Sequence, residues 1–243
     1  MNKPAAALAT VALVGGLISL APTSAQAASC DDPAHPIADT GLSPYVAVGT
    51  TKIKTMKLEM TTYDGCQVTG ASVTVRAPRH SRTVSLHEVG RANGFVFWEG
   101  STKIAPKSLR NSDAGTWALT YQAKGADAEK VTGQAYVLRA SRLSFNAGPE
   151  PVKDGKLSYA GKLERASWNK HHYYGYRQQV SLFDDDGASD DGPDLLAQPT
   201  TTKKGTFRVT QNYRGPGDYF ADFTGTGTTA ASHSQVDHVS TPR

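Results

Sequence analysis

The chain has 243 residues, 38% of them hydrophobic and 20% charged, with 23 Gly and 13 Pro, a composition that excludes a fibrous or wholly disordered protein. Lys and Arg number 26 against 22 Asp and Glu, a net charge of +4 spread without a basic block, so charge gives no ground for a nucleic-acid partner. Beyond the first two dozen positions no run of eighteen apolar residues occurs, so no membrane span is expected in the mature chain.

Lys3 precedes an apolar run from Ala5 to Leu20, and Ala25-Gln26-Ala27 follows with small residues at the positions a signal peptidase reads. Residues 1–27 therefore read as a cleaved secretory signal peptide. Cleavage removes only Lys3 from the charged set, leaving 25 basic and 22 acidic side chains, so a polyanionic partner is not required. Export to the medium or the cell wall places the two cysteines, Cys30 and Cys66, in an oxidising compartment where a solitary pair is expected to join.

Residues 28–44 carry prolines at 33, 36 and 44 among polar residues and read as an extended N-terminal arm. From Tyr45 the chain alternates apolar and polar residues in short runs: Met56, Leu58 and Met60; Val73 and Val75; Val84 and Leu86; then Phe95 to Trp98, Trp117 to Tyr121 and Tyr136 to Leu138. Period two predicts strands, broken by turns at Asp64-Gly65, Arg91-Ala92-Asn93-Gly94 and Ala114-Gly115. Leu143 to Phe145, Leu157 to Leu163, Val180 to Phe183, Phe207 to Val209 and Tyr219 to Phe223 repeat the pattern.

Gly115 to Gly125 aligns with Gly217 to Gly227, with glycines and aromatic positions recurring at an offset of 102. Aromatics four apart on a strand share a face, so each copy is expected to fill its own core. Two domains of about 100 residues match immunoglobulin-like β-sandwiches, one over 45–140 and one over 141–243. The join near Arg139-Ala140-Ser141-Arg142 has almost no linker, which predicts restricted motion between them. The predicted class is all-β.

Leu143-Ser144-Phe145-Asn146-Ala147-Gly148-Pro149 through Gly155, Gly161 through Trp168, Val48-Gly49-Thr50-Thr51 and Asn111 through Trp117 resemble a secreted actinobacterial family of tandem Ig-like β-sandwiches. The resemblance spans most of the mature chain and implies the two-sandwich fold with no established function. Some relatives in that family carry a calcium-binding label.

Two segments carry candidate chemistry. Residues 184–194 hold six carboxylates, Asp184, Asp185, Asp186, Asp190, Asp191 and Asp194, and dense carboxylates suit a hard cation such as Ca2+. With Gly187 at the glycine position of an EF-hand, the first and twelfth ligands would be Leu182 and Pro193, so the loop is no EF-hand; as a solvated hairpin loop it would need no cofactor. The second segment crowds Trp168, His171, His172, Tyr173, Tyr174, Tyr176 and Arg177 into ten residues. Exposed rings with imidazole and guanidinium donors would suit a glycan, the cell wall or an extracellular protein, whereas buried rings would be core.

Neither a Gly-x-Ser-x-Gly elbow nor a His-Glu-x-x-His motif occurs, so hydrolase signatures are missing. The expected function is a secreted, non-catalytic binding or structural module. A calcium-binding version of the same scaffold and a cell-wall or polysaccharide-active enzyme or accessory protein are the alternatives.

Overall fold

The computed structural model describes residues 30, 35–125, 129–153, 155–185 and 192–240, with side chains 150–153 left aside; residues 1–29, the expected signal peptide among them, lie outside it. The described chain is all-β. Its strands, in order, are β1 (Ile37–Asp39), β2 (Tyr45–Val48), β3 (Lys54–Tyr63), β4 (Gly70–Arg76), β5 (Ser81–Ala92), β6 (Phe95–Ile104), β7 (Gly115–Lys124) and β8 (Lys130–Arg139). There follow β9 (Ser141–Lys153), β10 (Lys156–Ser167), β11 (His172–Gly175), β12 (Ser181–Asp185), β13 (Asp194–Ala197), β14 (Thr206–Asn212), β15 (Gly217–Phe223), β16 (Ser232–His233) and β17 (Asp237–Val239).

The first eight strands pair in the order β1-β3-β6-β5-β4-β7-β8-β2. β5 joins the two layers: Ser81 to Leu86 pairs with β4, and His87 to Ala92 pairs with β6 across a register shift. Strand alternation explains the core directly, because Met56, Leu58 and Met60 of β3 are buried while Lys57 and Glu59 between them are exposed. The β5–β6 hairpin closes on Asn93 and Gly94 alone, both at positive φ (52° and 80°), as a two-residue hairpin turn requires. The strand therefore runs two residues further than the four-residue break expected from sequence.

The segment expected as an extended arm contributes a strand of its own. Ile37 of β1 pairs with Thr62 and packs partly buried against the first core. Two further ties make a strand possible in so proline-rich a stretch: the Cys30–Cys66 disulfide, with Cα atoms 4.7 Å apart, and the Tyr63 N–H donating to Pro36 O at 3.1 Å.

In the second half, β10 pairs with β9 along one edge and with β14 and then β11 along the other. A second sheet runs β13-β12-β15, with β16 and β17 both on β15. The repeated aromatic pairs behave as expected: Trp117 and Tyr121 are buried in the first core, Tyr219 and Phe223 in the second.

The two clusters of buried apolar side chains depart from the expected division at one place. Ala166 and Trp168, from the end of β10 and the turn after it, belong to the first core.

Candidate functional site: the junction of the two sandwiches

The junction begins at Val48, the last residue of β2. Its carbonyl accepts the Ala140 N–H at 2.9 Å and the Trp168 indole N–H at 3.0 Å. The Trp168 backbone N–H donates to Asn111 Oδ1 (2.8 Å), and the Asn111 N–H donates to Asn169 Oδ1 (2.8 Å). The Arg139 N–H donates to Thr228 O at 3.1 Å, and Ala230 donates back to Arg139 O at 2.9 Å. Buried backbone groups demand partners, and here each half supplies them to the other. The missing linker noted in the sequence thus corresponds to a hydrogen-bonded seam.

Three arginines and three tyrosines fill the seam. Arg139 is 5% exposed; its Nε donates to Ala166 O at 2.7 Å and its terminal nitrogen to the Tyr174 hydroxyl at 2.5 Å. Arg165, opposite Tyr174 in the β10–β11 register, donates to the same hydroxyl at 3.1 Å and stacks 3.8 Å over the Tyr176 ring. Arg142 lies 3.7 Å over the Tyr173 ring. None of the three guanidiniums forms a salt bridge with the described residues; ring faces and oxygen atoms carry the charge instead, which guanidinium tolerates better than ammonium does. Burial pushes the Arg139 pKa down, and the nearby Arg165 adds to that push. For Tyr174, burial acts upward, but hydrogen bonds from Arg139 and Arg165 outweigh it and hold the phenol below its ordinary value.

Local backbone geometry fixes this arrangement. Gly175 ends β11 where a Cβ would sit 2.1 Å from the Lys204 carbonyl, and Gly205 (φ +81°) would place a Cβ 2.1 Å from Leu163 O. Only glycine admits so close an approach, and it sets Tyr174 and Tyr176 on either side of the contact.

The aromatic segment is thus largely consumed by packing. Trp168 is 0% exposed, a correction to its reading as a ligand-stacking ring: buried between the two halves, it presents no face to a sugar. Tyr173, Tyr174 and Tyr176 are half-buried beneath or beside arginines, and of the seven candidate residues His171, His172 and Arg177 are exposed. His171 stands in the turn, at φ +53°.

Of the six candidate calcium ligands, Asp186, Asp190 and Asp191 lie outside the described residues. Of the other three, Asp184 and Asp194 are register partners across β12 and β13, and Asp185 parts from them. Asp184 is 8% exposed and faces inward, close enough to Tyr159 and Tyr219 to raise both phenols after the larger effect of burial, Tyr159 up to about 12. Asp185, next along the strand, is exposed on the opposite face. Asp194 is exposed and lies 3.6 Å from Arg214. Among the described residues no group of three metal-ligating side chains forms.

Beside the seam, the first sandwich's 106–113 segment and the turn after β10 border an open, shallow cleft of about 390 Å3, lined by Arg79, Lys107, Leu109, Arg110, Asn169 and His171 among others. Asp113, with a side chain 1% exposed, is the foundation: Arg79 grips it at 2.8 and 2.6 Å, and the Arg110 N–H donates to it at 2.7 Å. Arg79 above all, helped by the Arg110 N–H and opposed by burial, holds the Asp113 carboxyl below the usual carboxylate range. A depressed folded-state pKa stabilises the fold above the unfolded value of 3.8 and stops doing so as the pH falls through the lower folded value. Asp113→Asn is accordingly expected to lose about 1 to 3 kcal/mol at pH 6. Thermal melts between pH 6 and pH 2 should show its deficit against the native chain shrinking below pH 3.8; a deficit independent of pH would contradict the assignment.

Sequence reasoning missed Arg79, Lys107 and Arg110, which come from distant stretches and have no shared motif. It treated Arg139 and Arg142 only as a boundary.

No family model matches the chain, and no curated protein matches it. The actinobacterial origin and calcium label implied by the resemblance are left unsupported. Among solved structures the chain is similar to a tetra-tandem repeat from the extending region of a large adhesion protein, at 17% identity and TM-score 0.31, over 82% of this chain and 50% of that one. It is also similar to a DUF4785 family protein from Legionella pneumophila (12%, TM-score 0.40, 74% of this chain and 50% of that one) and to DIP-gamma IG1+IG2 (11%, TM-score 0.26, 84% and 97%). The chain thus spans half the length of the first two. The all-β architecture itself rests on the strand pairing described above.

Proposed function

We propose that this chain is a secreted, non-catalytic module in which two β-sandwiches act outside the cell as one rigid binding or structural unit. The observation that carries the reading is the seam: Trp168 of the second half is buried in the first core, and Val48, Arg139 and Asn111 bond across the boundary. Such a seam holds fixed the relative placement of surface groups on the two halves, which serves recognition or spacing and provides no moving part. The Cys30–Cys66 bond supports export, because disulfides persist in oxidising compartments.

The test is to express the full chain in a bacterial host with an active secretory pathway and to fractionate the culture. The expected product is found in the medium or wall fraction, begins at Ala28 and has no free thiol by mass spectrometry. A cytosolic, uncleaved chain with two free thiols would overturn the proposal.

A further inference from the structure

We propose that the cleft beside the seam binds an anionic polysaccharide, gripping its sulfate or carboxylate groups with Lys107, Arg110 and His171. The choice of an extracellular polymer rests on the secreted-module reading; the anion site itself rests on the cleft's charge and construction.

The lining residues include Arg79, Lys107, Arg110 and His171 and no carboxylate. The one acid beneath them, Asp113, is spoken for by Arg79. Lys107 and Arg110 are exposed and form no salt bridge with the described residues, so among those residues the cleft carries two cations that no acid pairs. A concave cationic site concentrates field on an incoming anion, and guanidinium and ammonium donors make the strong, charge-assisted hydrogen bonds that sulfate and carboxylate oxygens accept.

Both sandwiches build the site. Lys107 lies within the short 3-10 turn Pro106–Ser108 of the first, and Arg110 precedes its second turn, Asn111–Asp113. His171 and Asn169 come from the second, and the bond from the Asn111 N–H to Asn169 Oδ1 fixes the two walls together. His171 holds a left-handed backbone conformation (φ +53°) that costs a non-glycine residue energy and that clusters at functional positions.

Polarity decides among anionic partners. Leu109 is 6% and Trp168 0% exposed, so no apolar anchor is offered of the kind a protein partner's hot spot needs. Nor does the cleft expose a Trp, Tyr or Phe ring of the kind on which single-stranded nucleic acid stacks its bases. A hydrophilic chain bearing regularly spaced anions fits both facts.

The probe is a heparin-derived sulfated decasaccharide titrated calorimetrically into the disulfide-intact chain at 50 mM and 300 mM NaCl. Binding is expected at the lower salt and is expected to weaken at the higher, as screening shortens the reach of charge. Lys107→Ala/Arg110→Ala should weaken it at least about tenfold, the loss of about 1.4 kcal/mol, with the melting temperature unchanged. His171→Ala, on the other sandwich, should weaken it measurably as well. A double variant that binds like the native chain overturns the proposal, as does a neutral decasaccharide that binds equally well. Tighter binding of a polyglutamate peptide or a single-stranded oligonucleotide would also overturn it, in favour of those partners. The two proposals fail separately: a secreted chain that binds no sulfated oligosaccharide retires the ligand alone, whereas a cytosolic chain retires the secreted module and leaves the anion site standing.

Discussion

Replacing Trp168 with alanine is expected to destabilise the chain by about 3 to 5 kcal/mol, the range for removing a fully buried large aromatic side chain. Its ring is 0% exposed and packs in the core of the first sandwich, although its position in sequence follows the second strand of the other. The substitution also leaves the Val48 carbonyl with one hydrogen bond, from Ala140, in place of two. Because the ring comes from the second half and packs in the first core, the loss falls on the coupling between the halves as well as on that core. Urea unfolding followed by tyrosine and tryptophan fluorescence should show a single cooperative transition in the native chain and two separated transitions in Trp168→Ala. Trp168→Phe, which keeps most of the apolar contact and loses only the N–H donor, should sit between them. A Trp168→Ala midpoint equivalent to less than about 1 kcal/mol of loss would mean that the ring contributes little to the first core.

The second large effect is expected at the disulfide. Cys30 and Cys66 are 36 positions apart, and closing a loop of that size stabilises by about 3 to 4 kcal/mol through the entropy of the unfolded chain. The native-state consequence is concentrated on β1, which has few other ties: two register partners on β3, the Tyr63 N–H to Pro36 O bond, and the Ile37 N–H donating to Glu129 Oε2 at 2.9 Å. In a Cys30→Ser/Cys66→Ser variant, hydrogen exchange should show the Ile37–Asp39 amides losing protection first, while amides of β3 and β6, paired along ten residues, remain protected. Unchanged exchange in β1 would place the strand's stability in its own pairing.

Arg139 bears on both predictions. A cation that is 5% exposed and has no carboxylate partner among the described residues would be a liability if the two halves moved apart, since its compensation comes from Ala166 O and the Tyr174 hydroxyl on the far side. Burying it requires the seam to be closed. The seam and the charge therefore stabilise each other, and the cleft beside them keeps its shape only while both hold.

What the sequence by itself determined was local: which residues alternate into a core, where Asn93 and Gly94 turn the chain, that two aromatic repeats 102 residues apart fill equivalent positions, and that two cysteines form one bond. These follow from a period of two, from the left-handed backbone that a tight hairpin needs, and from the fact that two cysteines admit one pairing. Alternation reports that a side chain is buried and is silent about which sheet covers it, so the tertiary structure alone decided that Trp168 completes the first core, that Ile37 joins a sheet from within a proline-rich arm, and that Asp184 and Asp185 part to opposite faces. The same holds for charge. Arg165 meets Tyr174 because of a strand register, and Arg110 and His171 line one cleft because Asn111 and Asn169 bond one turn of each sandwich to the other; neither arrangement is written in spacing along the chain, because both are made by contacts between segments that the backbone reaches only after the two cores have formed and docked.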